Sequence, residues 1–122
     1  MMRFLLISAV ALALQTPAIA QGSPTRVGQC SVTRIKWVGT RLDNVPGSGS
    51  AIQFVNGGHQ VSYDQVAAVD RSRRWDAVRM CLISIAKDCP PGDDRGRVYK
   101  TTNLRTRRSW SLPDAEHMCG GA

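Results

Sequence analysis

A strongly basic stretch near the end of the chain is the part of the sequence best suited to binding chemistry. Residues 95–110 read RGRVYKTTNLRTRRSW and contain no acidic residue. Guanidinium and ammonium groups neutralise phosphates and carboxylates, and Tyr99 or Trp110 would stack on bases or sugars. The six basic residues are Arg95, Arg97, Lys100, Arg105, Arg107 and Arg108. The stretch predicts either a surface for an anionic partner or a solvated hairpin whose aromatic residues pack inside.

The basic stretch divides in two when it is laid out as a pair of strands around the turn sequence RTRR. Arg95 and Arg97 then lie at the far end of the strands, away from the turn. Asp88, Asp93 and Asp94 precede them and are expected to pair with them. These aspartates do not have the spacing of an EF-hand loop, so we expect no calcium. The predicted binding residues are those at the tip of the turn: Arg105, Arg107 and Arg108.

The three tryptophans differ in what their neighbours predict. Trp75 lies between Arg74 and Asp76 in a predicted turn, where an exposed aromatic side chain would act as a binding anchor. Trp37 and Trp110 lie in strand patterns and are expected to be core or half-buried residues. We therefore add Trp75 alone to the predicted binding residues.

The segment PDAEHMCGGA contains the residue types of a hydrolytic or metal site, namely Asp114, Glu116, His117 and Cys119. Catalysis needs a nucleophile, a base and an orienting group that converge in space. No Gly-x-Ser-x-Gly motif is present, and the cysteine is expected to be oxidised. We therefore predict a protein that is not an enzyme and has no cofactor or metal. The alternative is a small hydrolase or metal-binding protein centred on His117.

The first 20 residues have the features of a secretory signal peptide. Arg3 provides a positive charge, residues 4–14 form an apolar run, and Ala18 and Ala20 fit a small-residue cleavage site. The apolar run is only about half of the ~20 residues that a membrane-spanning helix needs, and no later stretch could span a bilayer. We expect cleavage near Ala20 and export to the periplasm or the medium.

The composition of the mature chain fits one small basic domain. Removing 20 of the 122 residues leaves 102, and removing Arg3 lowers the formal net charge from +7 to +6. A positive excess favours anionic partners, such as acidic proteins, lipid headgroups or nucleic acid. Nucleic acid is a poor fit for an exported protein. Charge that serves only solubility is the alternative.

Four cysteines, all beyond the signal peptide, predict two disulfides in a short exported chain. No Cys-x-x-Cys pair occurs, which excludes the usual zinc and redox patterns. Three pairings are possible. We favour Cys30–Cys119 with Cys81–Cys89, because the first bridge would tie the two ends of the domain together.

Strand patterns dominate the mature chain. Residues 21–29 are predicted to be a flexible lead-in and residues 30–122 a single β-rich domain. The Asn-Gly-Gly sequence at 56–58 favours a tight hairpin turn. The predicted elements are a strand at 31–41, a hairpin over 51–63, a helical turn at 64–71, a strand buried on both faces at 78–86, and a final strand pair over 97–113. The fold class is mainly β: a small disulfide-stabilised β-barrel or sandwich, OB-like or SH3-like, with at most one short helix.

The sequences CPPGDDRGRVYKTTNLRT and SWSLPDAEHMCGGA resemble a family of short exported bacterial proteins that has no known activity. The resemblance covers residues 30–122 and implies an envelope setting, but no catalytic residue or cofactor. With the charge pattern, it leads us to expect an envelope binding domain for an acidic protein or other anionic partner. An inhibitor- or immunity-type protein is one form of this. A purely structural envelope component is a further alternative.

Overall fold

A computed structural model of the protein describes residues 10–12 and 21–121. The predicted signal peptide lies outside these ranges except for residues 10–12, and so does its cleavage site at Ala20. Within the described residues, no helix is long and apolar enough to cross a membrane.

The described residues form six β-strands and one short α-helix, which confirms a mainly β fold. The elements are β1 (Cys30–Thr40), β2 (Ser50–Phe54), β3 (His59–Ser62), α1 (Ala67–Asp70), β4 (Ala77–Ser84), β5 (Val98–Asn103) and β6 (Ser109–Pro113). The hairpin around residues 56–58 and the last strand pair form where the turn chemistry predicts them. The helix is a single turn within the predicted segment 64–71.

All six strands belong to one antiparallel sheet with the order β3-β2-β1-β4-β5-β6. The chain adds β2 and β3 on one side of β1, crosses through α1, and adds β4, β5 and β6 on the other side. The sheet curls until its edge strands β3 and β6 approach each other. The architecture is therefore a curled half-barrel, and the sandwich alternative does not apply.

The core lies on the concave side of the curled sheet. Its buried apolar side chains are Ile35, Ile52, Phe54, Val69, Val78, Met80, Leu82, Tyr99 and Trp110. Strand residues contribute at every second position, because successive side chains point to opposite faces. Tyr99 and Trp110, two aromatic residues of the basic stretch, are therefore packing residues.

Gln60 on β3 joins the two edges of the half-barrel. Its side chain is 1% exposed. The amide Nε2 donates to the carbonyls of Tyr99 and Leu112 at 2.8 and 3.0 Å. The amide Oε1 accepts from Thr101 Oγ1 at 2.7 Å and from Trp110 Nε1 at 2.9 Å. All the hydrogen-bonding capacity of the amide is used, so this one side chain ties β3 to β5 and β6.

β4 is central in the sheet, as predicted, but it is buried on one face only. Val78, Met80 and Leu82 point into the core, whereas Arg79 is exposed and Ile83 is 46% exposed. The prediction of burial on both faces was wrong. Apolar residues at outward positions of this strand suggested a second buried face, but these positions face solvent. An antiparallel sheet leaves such a face open to solvent.

The segment 21–29, predicted as a lead-in, lies against the half-barrel. The Gln21 N–H donates to the Val32 carbonyl at 2.9 Å, and the Gly28 N–H donates to the Leu82 carbonyl at 2.9 Å. The Pro24 side chain is fully buried. The segment thus extends the ordered domain on the N-terminal side of β1.

Cys30 is bonded to Cys81, and Cys89 is bonded to Cys119. The two predicted disulfides are confirmed, but the favoured pairing of Cys30 with Cys119 and Cys81 with Cys89 was wrong. β1 and β4 are neighbours, and their register places Cys30 directly opposite Cys81. The second bridge fastens the C-terminal segment to the loop after β4.

Candidate functional site

Three of the six cations in the basic stretch are held by carboxylates of the same chain. Their ion pairs are Arg95–Asp93 at 2.8 Å, Arg97–Asp94 at 3.6 Å and Arg105–Asp76 at 2.8 Å. The first two confirm the predicted pairing at the base of the hairpin. In the described part of the chain, no carboxylate pairs with Lys100, Arg107 or Arg108.

Arg105 supports the turn between β5 and β6, although the sequence predicts it as a binding residue. Its Nε and Nη2 donate to the two carboxylate oxygens of Asp76 at 2.8 and 2.9 Å. Asn103, which is fully buried, also donates to Asp76 and to the Ser72 hydroxyl, each at 2.9 Å. The guanidinium is thus occupied within the protein. All three arginines of the predicted tip are exposed, but within the described residues only Arg105 has a carboxylate partner.

Acid is expected to weaken this turn through Asp76. The hydrogen bond from the Arg105 guanidinium is the main cause that holds the pKa of Asp76 well below its usual range. Burial has the opposite effect, and hydrogen bonds from Asn103 and from the Arg73 backbone lower the pKa further. In the unfolded chain the pKa returns to about 4. Ionised Asp76 therefore stabilises the fold above pH ~4, and this contribution is lost as the pH falls towards the lower folded pKa.

We predict that Asp76→Asn lowers the free energy of unfolding by about 2 kcal/mol at pH 7, since a charge-assisted hydrogen bond is lost. Urea unfolding at pH 7 and pH 2 measures the free energy of unfolding of the variant and of the wild-type protein. The difference between the two proteins should be smaller at pH 2 than at pH 7. The exposed Asp64→Asn serves as the matched control. An equal deficit of Asp76→Asn at both pH values would contradict the linkage.

Trp75 is exposed, as predicted for an anchor, with 54% of its surface accessible. The Arg74 guanidinium lies over its ring, 4.5 Å from the centroid. Its backbone has a φ of 74°, and its carbonyl accepts from Arg34 Nη1 at 2.9 Å. The side chain therefore stands on a fixed turn beside the N-terminal end of β4.

The other tryptophans occupy different environments. Trp110 is 5% exposed and belongs to the core, as predicted. Trp37 is 37% exposed, which makes it more accessible than the predicted core or half-buried residue. Its indole lies over Gly39, in the space that a Cβ at Gly39 would need. Trp37 thus forms a ridge on the outer face of β1.

The outer face of the sheet carries an uncompensated positive charge. None of the six strands contains Asp or Glu, because the nine acidic residues all lie in loops or in α1. The strands contain four exposed cations: Arg34, Lys36, Arg79 and Lys100. The charge on this face is therefore of one sign.

Three of these cations form a diagonal line across adjacent strands, here called the basic stripe (Arg34, Arg79 and Lys100). Arg34 on β1 is opposite Ala77, two residues before Arg79 on β4. Lys100 on β5 is opposite Cys81, two residues after Arg79. Diagonal neighbours of this kind lie about 7–8 Å apart. Three like charges at that spacing suit a run of carboxylates on a partner.

The sequence contains the signal for the basic stripe, although it was not predicted. Arg34 and Lys36 alternate with apolar residues in β1, and Arg79 interrupts the apolar run of β4. Basic residues at single outward positions are ordinary in isolation. The order β1-β4-β5 brings them together, and that order depends on the crossover through α1.

Among the described residues, His117 is not grouped with side chains that would form a metal site with it. Its side chain is exposed and has no hydrogen-bond partner among residues 21–121. Within the same described range, no three His, Cys, Asp or Glu side chains are grouped as metal ligands. Cys119 is in a disulfide, and Glu116 is bound to Arg41 at 3.0 Å.

Comparison with known proteins returned no relative: no family model, curated protein or solved structure matches the chain. The resemblance to short exported bacterial proteins stays a prediction, as do the OB-like and SH3-like shapes.

Proposed function

We propose that the protein is a non-enzymatic binding domain of the cell envelope that holds an acidic protein against the outer face of its sheet. The observation that carries this proposal is the basic stripe, on a sheet whose strands contain no acidic residue. Carboxylates of an acidic partner would contact the three cations of the stripe. The strands themselves contain no carboxylate that would repel the partner. Electrostatic complementarity of this kind steers association and selects the partner.

The apolar residues beside the stripe favour a protein over a nucleic acid or another polyanion. Val32 and Ile83 on the same face are 41% and 46% exposed. Apolar groups between charges suit a protein interface. The two aromatic residues of the basic stretch, Tyr99 and Trp110, are buried and so cannot serve as stacking platforms for a nucleic acid.

Residues at one end of the sheet extend the proposed surface. Trp75 is bonded through its carbonyl to Arg34 of the stripe, so an aromatic anchor adjoins the cations. Arg107 and Arg108 in the turn between β5 and β6 add charge on the side of β5 remote from β4. We keep these three residues as secondary binding residues and assign Arg105 to the support of the turn.

Two disulfides fit a protein that works in an oxidising compartment. With the predicted signal peptide, they support a role in the periplasm or outside the cell. An exported inhibitor or immunity-type protein that masks an acidic surface is the form of this role we favour.

Charge reversal in the stripe tests the proposal. We predict that Arg79→Glu with Lys100→Glu weakens binding to immobilised poly-L-glutamate about tenfold or more, since each surface ion pair contributes up to about 1 kcal/mol. The measurement is the salt concentration that elutes each variant from the matrix. Binding of the wild-type protein should weaken steeply with salt.

The matched control is Arg71→Glu with Lys87→Glu, which changes the net charge equally at two exposed loop positions. It should elute much closer to the wild-type protein. Equal losses in the two double variants would mean that net charge alone governs binding, and the proposed surface would be abandoned.

A further inference from the structure

Among the strands that the structure describes, only β2 lies beside the C-terminal half of β1. Residues 35–40 pair with β2, whereas β4 pairs with residues 30–34 on the opposite side. The last bonds on that side join Ile35 to the backbone of Trp75 and Asp76, at 2.8 and 3.0 Å. The chain turns away at residues 73–76, and the edge of β1 beyond Ile35 is left open.

The ladder with β2 shows which backbone groups point to the open side. Just past the end of β1, the Arg41 N–H donates to the Gly49 carbonyl at 3.2 Å. Bonded and non-bonded positions alternate along an antiparallel pair. Beyond the register shift between Ile35 and Trp37, the backbone groups of Trp37 and Gly39 therefore bond to β2. The N–H and C=O groups of Val38 and Thr40 point away from it.

Among the described residues, these backbone groups have no hydrogen-bond partner. Within residues 21–121, no loop or strand backbone bonds to Val38 or Thr40 from the open side. Two adjoining open clefts of about 730 and 350 Å³ lie along this edge, and Trp37 and Val38 line both. There is thus room beside the edge for an extended chain.

Three cations surround the larger cleft: Lys36, Arg73 and Arg74. No carboxylate in the described part of the chain pairs with them. Lys36 is also the extra residue of a β-bulge between Ile35 and Trp37. A bulge and a lysine hinder an edge strand from pairing with a copy of itself. The same charges attract an acidic strand.

We propose that an extended acidic segment of the partner adds to the sheet as a new strand along Val38–Thr40. The backbone of β1 would provide the hydrogen bonds, and the three cations would select the acidic side chains. This inference rests on the proposed function and specifies how the acidic protein docks. It differs from that proposal in requiring backbone pairing at one defined edge.

The test uses the disulfide-bonded protein and three eight-residue peptides. The first alternates Glu and Val, the second alternates Lys and Val, and the third is the Glu-Val peptide N-methylated at every residue. N-methylation removes backbone donors but keeps the charge. We expect the Glu-Val peptide to bind, and the other two to bind at least tenfold more weakly. Residue-resolved hydrogen exchange should slow at least tenfold at Val38 and Thr40 on binding, with little change at Gly39.

Equal binding of the N-methylated peptide, or unchanged exchange at Val38 and Thr40, would overturn strand addition. So would the absence of any Glu-Val binding. None of these outcomes affects the elution experiment with the Arg79 and Lys100 double variant. That experiment tests the role of the basic stripe separately. Arg73→Glu with Arg74→Glu should abolish peptide binding while the protein still elutes from poly-L-glutamate later than the stripe variant.

Discussion

Replacing Cys30 and Cys81 together by serine is expected to lower the free energy of unfolding by about 4 kcal/mol. Without the bridge, the unfolded chain regains the conformational entropy that closing a ring of this size removes. The bridge spans a sequence separation of 51 and staples β1 to β4, the two strands at the centre of the sheet. A small domain has a total stability of only about 5–15 kcal/mol. The double variant should therefore be close to unfolding at 37 °C.

Urea unfolding of the double variant and the wild-type protein measures this loss. Cys89→Ser with Cys119→Ser is the comparison, because that bridge holds the C-terminal segment outside the sheet. Its loss should free the last residues to proteolysis before the strands unfold. A Cys30 and Cys81 variant within about 1 kcal/mol of the wild-type protein would contradict the expected role of the first bridge.

The second large effect concerns Gln60. We predict that Gln60→Leu lowers the free energy of unfolding by about 3 kcal/mol, because buried polar groups that lose their partners cost about 1–3 kcal/mol each. The change leaves the Trp110 N–H and the Thr101 hydroxyl without their acceptor. It also removes the donor to the carbonyls of Tyr99 and Leu112. Since the amide joins β3 to β5 and β6, closure of the half-barrel should loosen.

Gln53→Leu is the matched control, since Gln53 lies on β2 with an exposed side chain. That change should alter the free energy of unfolding by no more than about 0.5 kcal/mol. Urea unfolding measures both variants. In Gln60→Leu, the Trp110 indole N–H should also exchange faster. A Gln60→Leu protein as stable as Gln53→Leu would show that the amide does not hold the edges together.

Local signals in the sequence predicted the strands well. The Asn-Gly-Gly turn at 56–58 and the RTRR turn lie within a few residues of their strands, so turn chemistry alone fixes their position. The single turn of helix within 64–71 also follows from local spacing. The ion pairs Arg95–Asp93 and Arg97–Asp94 form between residues that are close in the chain.

The features that the sequence did not predict depend on contacts distant in the chain. Cys30 meets Cys81 only because the crossover through α1 brings β4 beside β1. Arg105 pairs with Asp76, which is 29 residues away in the sequence. The sequence around Arg105 shows only neighbouring arginines and so did not indicate its role in the turn. The outward face of β4 resembled a buried one because Cys81 and Ile83 are apolar. The basic stripe required the same strand order.

The claim that the outer face of the sheet binds an acidic partner is tested most directly by mapping contacts residue by residue. The measurement is a titration of the ¹⁵N-labelled protein with a glutamate decamer at low salt, followed by amide chemical shifts. The predicted result is that the largest shifts cluster on the basic stripe, at Arg34, Arg79 and Lys100 and their neighbours on β1, β4 and β5. Shifts of equal size at the loop residues Arg71 and Lys87, or none on β4 and β5, would contradict it.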